Sequence, residues 1–192
     1  IRRHLHRTPE TDFEEIKTKR LLLRKLTPEV YWFIHENYTD DELIEFLALK
    51  SFCELTKEKE KYAKGLSTHN KSFVNFKLFD LHSGLHIGNC GFHTWYVEHF
   101  RAEIGYDICT ETLKGKGFMT EALQSILEYG FGSMNLNRIE AFVSPHNMPS
   151  LKLMQKFGFQ QEGHLRQHYN KNDEIQDSAV FSLLKHEYRP SV

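Results

Sequence analysis

The chain has 192 residues, of which 25 are basic and 26 acidic, giving a formal net charge of −1. This balance provides no overall attraction to nucleic acid or to an anionic membrane, so we expect neither as a partner. The apolar runs are too short to cross a bilayer, and residues 1–7 are charged without the apolar stretch of a signal peptide. We therefore expect a cytoplasmic protein.

Size and composition favour one domain, which we place at residues 18–192 after an N-terminal extension of residues 1–17. Cys53, Cys90 and Cys109 show no paired spacing, which predicts free thiols rather than disulfides. The 12 histidines include no ligand pair typical of a metal centre, so no metal is expected.

The first half of the chain predicts a strand, three helices and a β-hairpin. The strand covers residues 21–23, and the first helix begins at Pro28. Two more helices are predicted at residues 41–49 and 56–66, the latter with a charged face exposed to solvent. Aromatic-rich strands at residues 73–79 and 87–97 then flank a turn at residues 80–84.

The second half alternates strands and helices. A strand at residues 101–108 precedes a glycine-rich turn and a helix whose apolar face extends from Met119 to Met134. A strand at residues 138–143 follows, and then a helix capped by Asn147 and ended by Gly158. The last strands are predicted at residues 159–169 and 176–184, joined by a turn at residues 170–174.

The turn from Gly115 to Gly117 is the most informative feature, because it opens directly into a helix. Backbone N–H groups at a helix start lack internal acceptors and can hold a phosphate, and glycine lets the ligand approach closely. A Walker loop is excluded because Gly117, not Ser or Thr, follows Lys116. A dinucleotide fingerprint is excluded because Thr120 occupies its third glycine position. An ordinary strand-to-helix turn is the alternative.

Four stretches in order resemble one family. They are Ala102-Glu103-Ile104-Gly105-Tyr106, Gly115-Lys116-Gly117-Phe118-Met119-Thr120-Glu121-Ala122, Asn147 with Ser150, and Gly158-Phe159. Together they resemble the GNAT superfamily of acetyl-CoA-dependent N-acetyltransferases, in particular its RimJ/RimL branch, across residues 18–188. The resemblance implies an α/β fold with a mixed, mostly antiparallel sheet of six to seven strands flanked by helices. Its central strands are expected to diverge and hold CoA between them.

The same resemblance implies the cofactor contacts. The CoA pyrophosphate is expected on the main-chain amides of residues 115–120, with positive charge from Lys114 and Lys116 and a hydroxyl from Thr120. Ile108 and Cys109 are expected to pair with the pantetheine arm, and Asn147 to bind it from the other side. Asn147 has an equally good explanation as a helix cap. The full expected set is Ile108, Cys109, Lys114, Gly115, Lys116, Gly117, Phe118, Met119, Thr120 and Asn147.

Two residues are candidates for catalysis. Glu103 is the candidate base, directly or through water, although a simple ion pair with Arg101 or Lys77 would explain it equally well. The oxyanion is expected to meet a backbone N–H of the same strand. Ser150 is the candidate that protonates the leaving thiolate or orders a water, with an ordinary first-turn serine as the alternative.

The sequence also departs from the family pattern. Met154 stands where many members carry the tyrosine that protonates the leaving group, and methionine cannot donate a proton. Lys114 and Met119 are unusual residues for their positions. The segment between Glu103 and Gly115 is one residue longer than usual, which could shift Glu103 relative to CoA.

The expected reaction moves the acetyl group of acetyl-CoA to a primary amine. Because of the RimJ/RimL likeness, the first acceptor class is a protein N-terminal α-amine of the ribosomal-protein type. Alternatives are a polyamine, an amino sugar or an antibiotic, a non-catalytic acyl-CoA-binding regulatory module, and a structural domain that binds nothing. Family members often pair through edge strands or terminal segments, so a homodimer is one expected assembly.

Overall fold

The structure, a computed structural model, describes residues 13–65, 71–171 and 173–190. Its strands are β1 (Glu15–Lys17), β2 (Leu21–Leu26), β3 (Ser72–Asp80), β4 (His86–Tyr96), β5 (Arg101–Ile108), β6 (Arg138–Val143), β7 (Gln160–Lys171) and β8 (Glu174–Leu184). Its helices are α1 (Pro28–Asn37), α2 (Asp40–Phe46), α3 (Phe52–Ala63), α4 (Phe118–Phe131) and α5 (Met148–Lys156). All eight strands form one sheet in the order β1-β2-β3-β4-β5-β6-β8-β7. This confirms the predicted α/β class.

Polar side chains fix where the helices begin. Thr27 accepts a hydrogen bond from the Val30 N–H at the start of α1, and Asn147 accepts one from the Ser150 N–H at the start of α5. Thr39 caps α2 in the same way, and Glu42 reaches back to complete a capping box. These contacts satisfy N–H groups that the helix itself leaves without acceptors.

The helices cover opposite faces of the sheet. Phe76 of β3 belongs to the large core formed with α4 and α5. Phe73, three residues earlier in the same strand, belongs to a smaller core with α1, α2 and α3. Side chains on a strand alternate between faces, so the two helix groups lie on opposite sides. The sheet therefore has a core on each of its faces.

The central strands β5 and β6 separate after a short paired stretch. They are the parallel pair of the sheet, and their register covers three positions, from Arg101 with Arg138 to Glu103 with Glu140. β5 then continues to Ile108 and β6 to Val143 beyond this paired stretch. The divergence implied by the family resemblance is thus confirmed.

Several boundaries differ from the prediction. The sheet has eight strands rather than six to seven, because the three residues of β1 are too few to show a strand pattern and are held by pairing with β2. α2 ends at Phe46 rather than Leu49, and α3 begins at Phe52 because Ser51 caps it. Residue 66, the predicted end of α3, and residue 172 of the predicted last turn lie outside the described residues.

Candidate active site

The glycine turn has the backbone geometry of an anion site. Gly115 and Gly117 have φ of +73° and +79°, a region that side chains disfavour. Gly117 is the N-cap of α4, and the Glu121 N–H makes the first helical hydrogen bond to its carbonyl at 3.1 Å. The N–H groups of residues 118–120 precede that bond, so the helix itself supplies no acceptor for them. They can therefore hold an anion.

A polar clamp fastens this helix start to β2. The Glu121 carboxylate accepts hydrogen bonds from Thr18 Oγ1 at 2.6 Å, from the Arg20 N–H at 2.7 Å and from Arg20 Nε at 2.7 Å. Arg20 also donates to the Lys116 carbonyl at 3.0 Å, and its guanidinium lies 4.4 Å from the centre of the Phe118 ring. Burial acts to raise the pKa of Glu121, but these hydrogen bonds outweigh it and hold the pKa below its usual range.

The positive charge at the turn is arranged differently from the prediction. The Lys114 ammonium pairs with Glu111, so its charge is partly neutralised. Arg20, which sequence reasoning did not select, contacts the turn instead. Arg20 is held at the turn by its pairing with Glu121, which is 101 positions away in the sequence. Sequence patterns extend over only a few residues, so the place of Arg20 just before a predicted strand gave no sign of this contact.

A cavity of about 400 Å³ lies between the separated ends of β5 and β6. Its lining includes both predicted catalytic residues, Glu103 and Ser150, together with Asn147 and the unpredicted His93 and Tyr106. The residues of the glycine turn are not part of this lining. The size falls in the range of small-molecule sites, which run from roughly 300 to 1,000 Å³.

Glu103 is paired with a histidine on one face of the sheet. Its Oε1 lies 3.0 Å from His93 Nε2. The imidazole occupies space that Gly105 leaves free, because a Cβ atom at Gly105 would lie only 2.8 Å from His93 Nδ1. The arrangement therefore depends on glycine at this strand position.

The ion pair of Glu103 with Arg101 or Lys77, which the sequence offered as an alternative, was a wrong prediction. Arg101 pairs with Glu140 at 3.0 Å, and the acidic residues that act on the half-buried Lys77 are Glu58 and Asp107. Sequence reasoning missed His93 because an irregularity between Phe92 and Thr94 changes the register of β4. Such a bulge redirects a side chain and leaves no sequence pattern from which its direction could be read.

The opposite face presents Asn147 and Ser150. Asn147 Oδ1 accepts the Ser150 N–H at 3.3 Å, which confirms the capping role of Asn147. One turn later Met154 is completely buried in the large core, so the residue at the family's tyrosine position contributes packing.

The predicted pantetheine edge needs one correction. The Cys109 N–H donates to the Ile87 carbonyl at 2.9 Å, so this amide is engaged by β4 and cannot pair with a ligand in the gap. Backbone groups of an antiparallel strand point alternately to either side. Ile108 and Tyr106 therefore direct their amides toward β6.

The hairpin of β7 and β8 closes the cavity. Tyr169, Gln176, Asp177 and Ser178 contribute to its lining. Asp177 accepts a hydrogen bond from the Gln167 N–H at 2.8 Å and lies 2.7 Å from His164 Nε2. The backbone at Gln167 has a φ of +52° where the β7–β8 register is irregular, a local feature that the sequence did not predict.

Within residues 13–65, 71–171 and 173–190, no group of three or more His, Cys, Asp or Glu side chains is placed to bind a metal ion. The helices found there are too short or too polar to span a membrane.

Residues 20–160 match the family model of the acetyltransferase (GNAT) domain. The chain belongs to the GNAT acetyltransferase family. This GNAT enzyme is 37% identical over 177 residues to the uncharacterized N-acetyltransferase p20 of Bacillus licheniformis, covering 91% of this chain and 98% of that protein. It is 26% identical over 185 residues to the [ribosomal protein uS5]-alanine N-acetyltransferase of Escherichia coli, covering 91% and 93% of the two chains.

Among solved structures, the GNAT enzyme is similar to a variant of the spermidine N-acetyltransferase SpeG of Vibrio cholerae. The TM-score is 0.62 and the identity 27%, with 86% of this chain and 96% of that chain covered. The predicted family is confirmed, and the uS5 relative agrees with the RimJ/RimL branch. The enzyme transfers an acetyl group to an amine, with acetyl-CoA as the donor typical of its family.

Proposed function

We propose that this enzyme acetylates a protein N-terminal α-amine. The observation that carries the proposal is the cavity between β5 and β6, where the Glu103–His93 pair lies on one face and Ser150 lies on the other. A base on one side and a hydroxyl donor on the other is what acyl transfer from a thioester to an amine requires. The proposed catalytic residues are Glu103, His93 and Ser150.

Acetyl-CoA binds with its pyrophosphate on the N–H groups of residues 115–120. Lys116 adds positive charge there, Arg20 holds the turn through its hydrogen bond to the Lys116 carbonyl, and the Thr120 hydroxyl adds a donor. The pantetheine arm extends along β5, where it pairs with the amides of Tyr106 and Ile108, and passes the amide of Asn147. This path brings the thioester to the β5–β6 gap, next to Ser150.

The reaction begins when His93, oriented by Glu103, takes a proton from the acceptor ammonium. The neutral amine attacks the thioester carbon, forming the C–N bond, and a backbone N–H of β5 stabilises the oxyanion. The C–S bond then breaks with its electron pair on sulfur. Ser150 passes a proton to the sulfur while it takes one from water. Of the two protons that the amine gives up through His93, one neutralises the resulting hydroxide and the other goes to solvent.

The charge of the cavity favours an acceptor with one amine over a polyamine. Two carboxylates, Glu103 and Asp177, are among the described residues that line it, and each is paired with a histidine. A polyamine carries several cations that would need unpaired carboxylates. An α-amine, with a pKa of about 7.7 to 8.0, also needs less help from a base than a lysine side chain near 10.4.

The acceptor class is tested by measuring free thiol release from acetyl-CoA with two pools. One pool holds peptides with free N-termini, and the other holds spermidine, amino sugars and aminoglycosides. A matched peptide with a blocked N-terminus and a free lysine serves as the control. Turnover with free N-termini alone supports the proposal, whereas turnover confined to the small amines overturns the acceptor assignment.

A non-catalytic acyl-CoA-binding module is the alternative suggested by Met154. Such a protein would bind acetyl-CoA in calorimetry and release no thiol with either pool. The His93–Glu103 pair favours the enzyme over this alternative, because a binding module needs no base beside the thioester.

A further inference from the structure

The hydroxyl of Tyr106 is buried without a hydrogen-bond partner. Within the described ranges, Tyr106 Oη is shielded from solvent and forms no hydrogen bond of good geometry, although the Ser150 hydroxyl lies near enough to act on it. Leaving a buried polar group unpaired costs about 1–3 kcal/mol, so such groups call for an explanation. Phenylalanine would avoid this cost at the same position.

Tyr106 lies where the reaction takes place. It belongs to β5 and contributes to the lining of the cavity together with Ser150. Its side chain packs against the large core, on the same face as α4 and α5, and so lies opposite the Glu103–His93 pair. The ring is therefore on the leaving-group side of the gap.

Ser150 is the polar neighbour that acts on this hydroxyl. Burial raises the pKa of Tyr106, and the nearby Ser150 hydroxyl acts in the opposite direction. The net effect keeps the phenol protonated at neutral pH, so that it remains a hydrogen-bond donor. Met154, one turn beyond Ser150, offers no competing donor or acceptor of comparable strength.

We propose that Tyr106 is a positioning residue that donates a hydrogen bond to Ser150 Oγ when acetyl-CoA is bound, and thereby directs the Ser150 proton toward the departing sulfur. This inference rests on the proposed function. The proton transferred is that of Ser150, which water replaces as the C–S electron pair moves to sulfur. Tyr106 keeps its own proton throughout the step.

The test compares Tyr106→Phe, Ser150→Ala and the double variant in the full chain, with acetyl-CoA and an accepted amine. Tyr106→Phe is expected to lower kcat about 10-fold to 100-fold, less than the roughly 100-fold to 10,000-fold of a direct proton donor, because Tyr106 acts through Ser150. KM for acetyl-CoA should change less than about twofold because the hydroxyl acts on a step after binding. The double variant should be no slower than Ser150→Ala alone, because both substitutions remove one shared interaction.

Tyr188→Phe is the matched control. Its hydroxyl is also buried without a partner in the described chain, but Tyr188 packs on Phe131 and does not line the cavity. This control should keep wild-type kcat, and both phenylalanine variants should keep the wild-type melting temperature or exceed it.

A Tyr106→Phe enzyme with kcat within twofold of wild type would overturn the inference. So would effects of Tyr106→Phe and Ser150→Ala that simply multiply, or a loss in kcat matched by Tyr188→Phe. If the wild-type enzyme itself releases no thiol with any acceptor, the proposed function has failed instead. Wild-type turnover therefore separates the two failures.

Discussion

At the scale of single residues, the proposed catalytic site depends on the placement of His93. Gly105 gives the ring room and Glu103 holds its Nε2 at 3.0 Å. Imidazole is a common general base at neutral pH, and a hydrogen bond to a carboxylate fixes the orientation of the ring. The pair can therefore accept a proton from an ammonium group that a carboxylate alone would accept less readily.

His93→Gln should lower kcat/KM at pH 7 about 100-fold, because glutamine can hydrogen-bond to Glu103 but cannot take the proton. The deficit should shrink above pH 8, where an α-amine with a pKa of about 7.7 to 8.0 is already neutral. A pH–rate profile measures both effects. His164→Gln, which breaks the other histidine–carboxylate pair, should show neither. An equal deficit at pH 7 and pH 9.5 would contradict the base role.

At the scale of elements, the junction of β2 and α4 holds the proposed cofactor cradle in place. Glu121 binds the start of the helix to Thr18 and Arg20, which lie just before β2, and the helix supplies the free N–H groups. A shift of this junction would move the pyrophosphate site as a unit. Stability and cofactor affinity should therefore change together when the junction is altered.

Glu121→Gln should lower stability by about 2 kcal/mol at pH 7, since charge-assisted hydrogen bonds are lost. The pKa of Glu121 is below its ordinary value of 4.5, so its stabilising effect is complete above 4.5 and disappears as the pH falls through the folded-state value. The melting temperatures of wild type and variant should accordingly converge as the pH falls below 4.5. Thermal unfolding from pH 3 to pH 8 tests this, and a constant difference would contradict it.

Gly117→Asp should reduce acetyl-CoA affinity at least about 10-fold, because it places a carboxylate at the pyrophosphate position. The positive φ adds backbone strain, so the control must carry the same strain. Gly65→Asp, at a φ of +88° in open space after α3, provides it. Calorimetry should show weak binding for Gly117→Asp and wild-type binding for Gly65→Asp. Equal affinities would rule out the cradle.

At the scale of the whole molecule, local patterns predicted most of the architecture. The spans of β5 and β6 match the predicted residues 101–108 and 138–143, since their alternation reflects burial on one face. The glycine turn and Asn147 were found because positive φ and capping have short-range signals. β1 was missed because it is held by its partner strand.

The site was only partly predictable, because several of its residues are also positioned by contacts with distant parts of the chain. Glu103 and Ser150 came from motif resemblance, and the structure brings both to one cavity. Three other residues were not selected. The placement of His93 depends on a bulge, and that of Arg20 depends on a contact between distant residues. The role of Tyr106 depends on which side of β5 faces the gap. None of these has a signature within a few residues of sequence.

The most direct test of the central claim is acetyl-CoA titration by calorimetry, followed in the same samples by thiol release with peptides bearing free N-termini. The account predicts one binding site per chain, lost in Gly117→Asp, and turnover that falls sharply in His93→Gln while binding persists. Absence of acetyl-CoA binding by the wild-type enzyme would contradict the site itself. Binding without turnover on any amine would contradict its assignment as the catalytic centre.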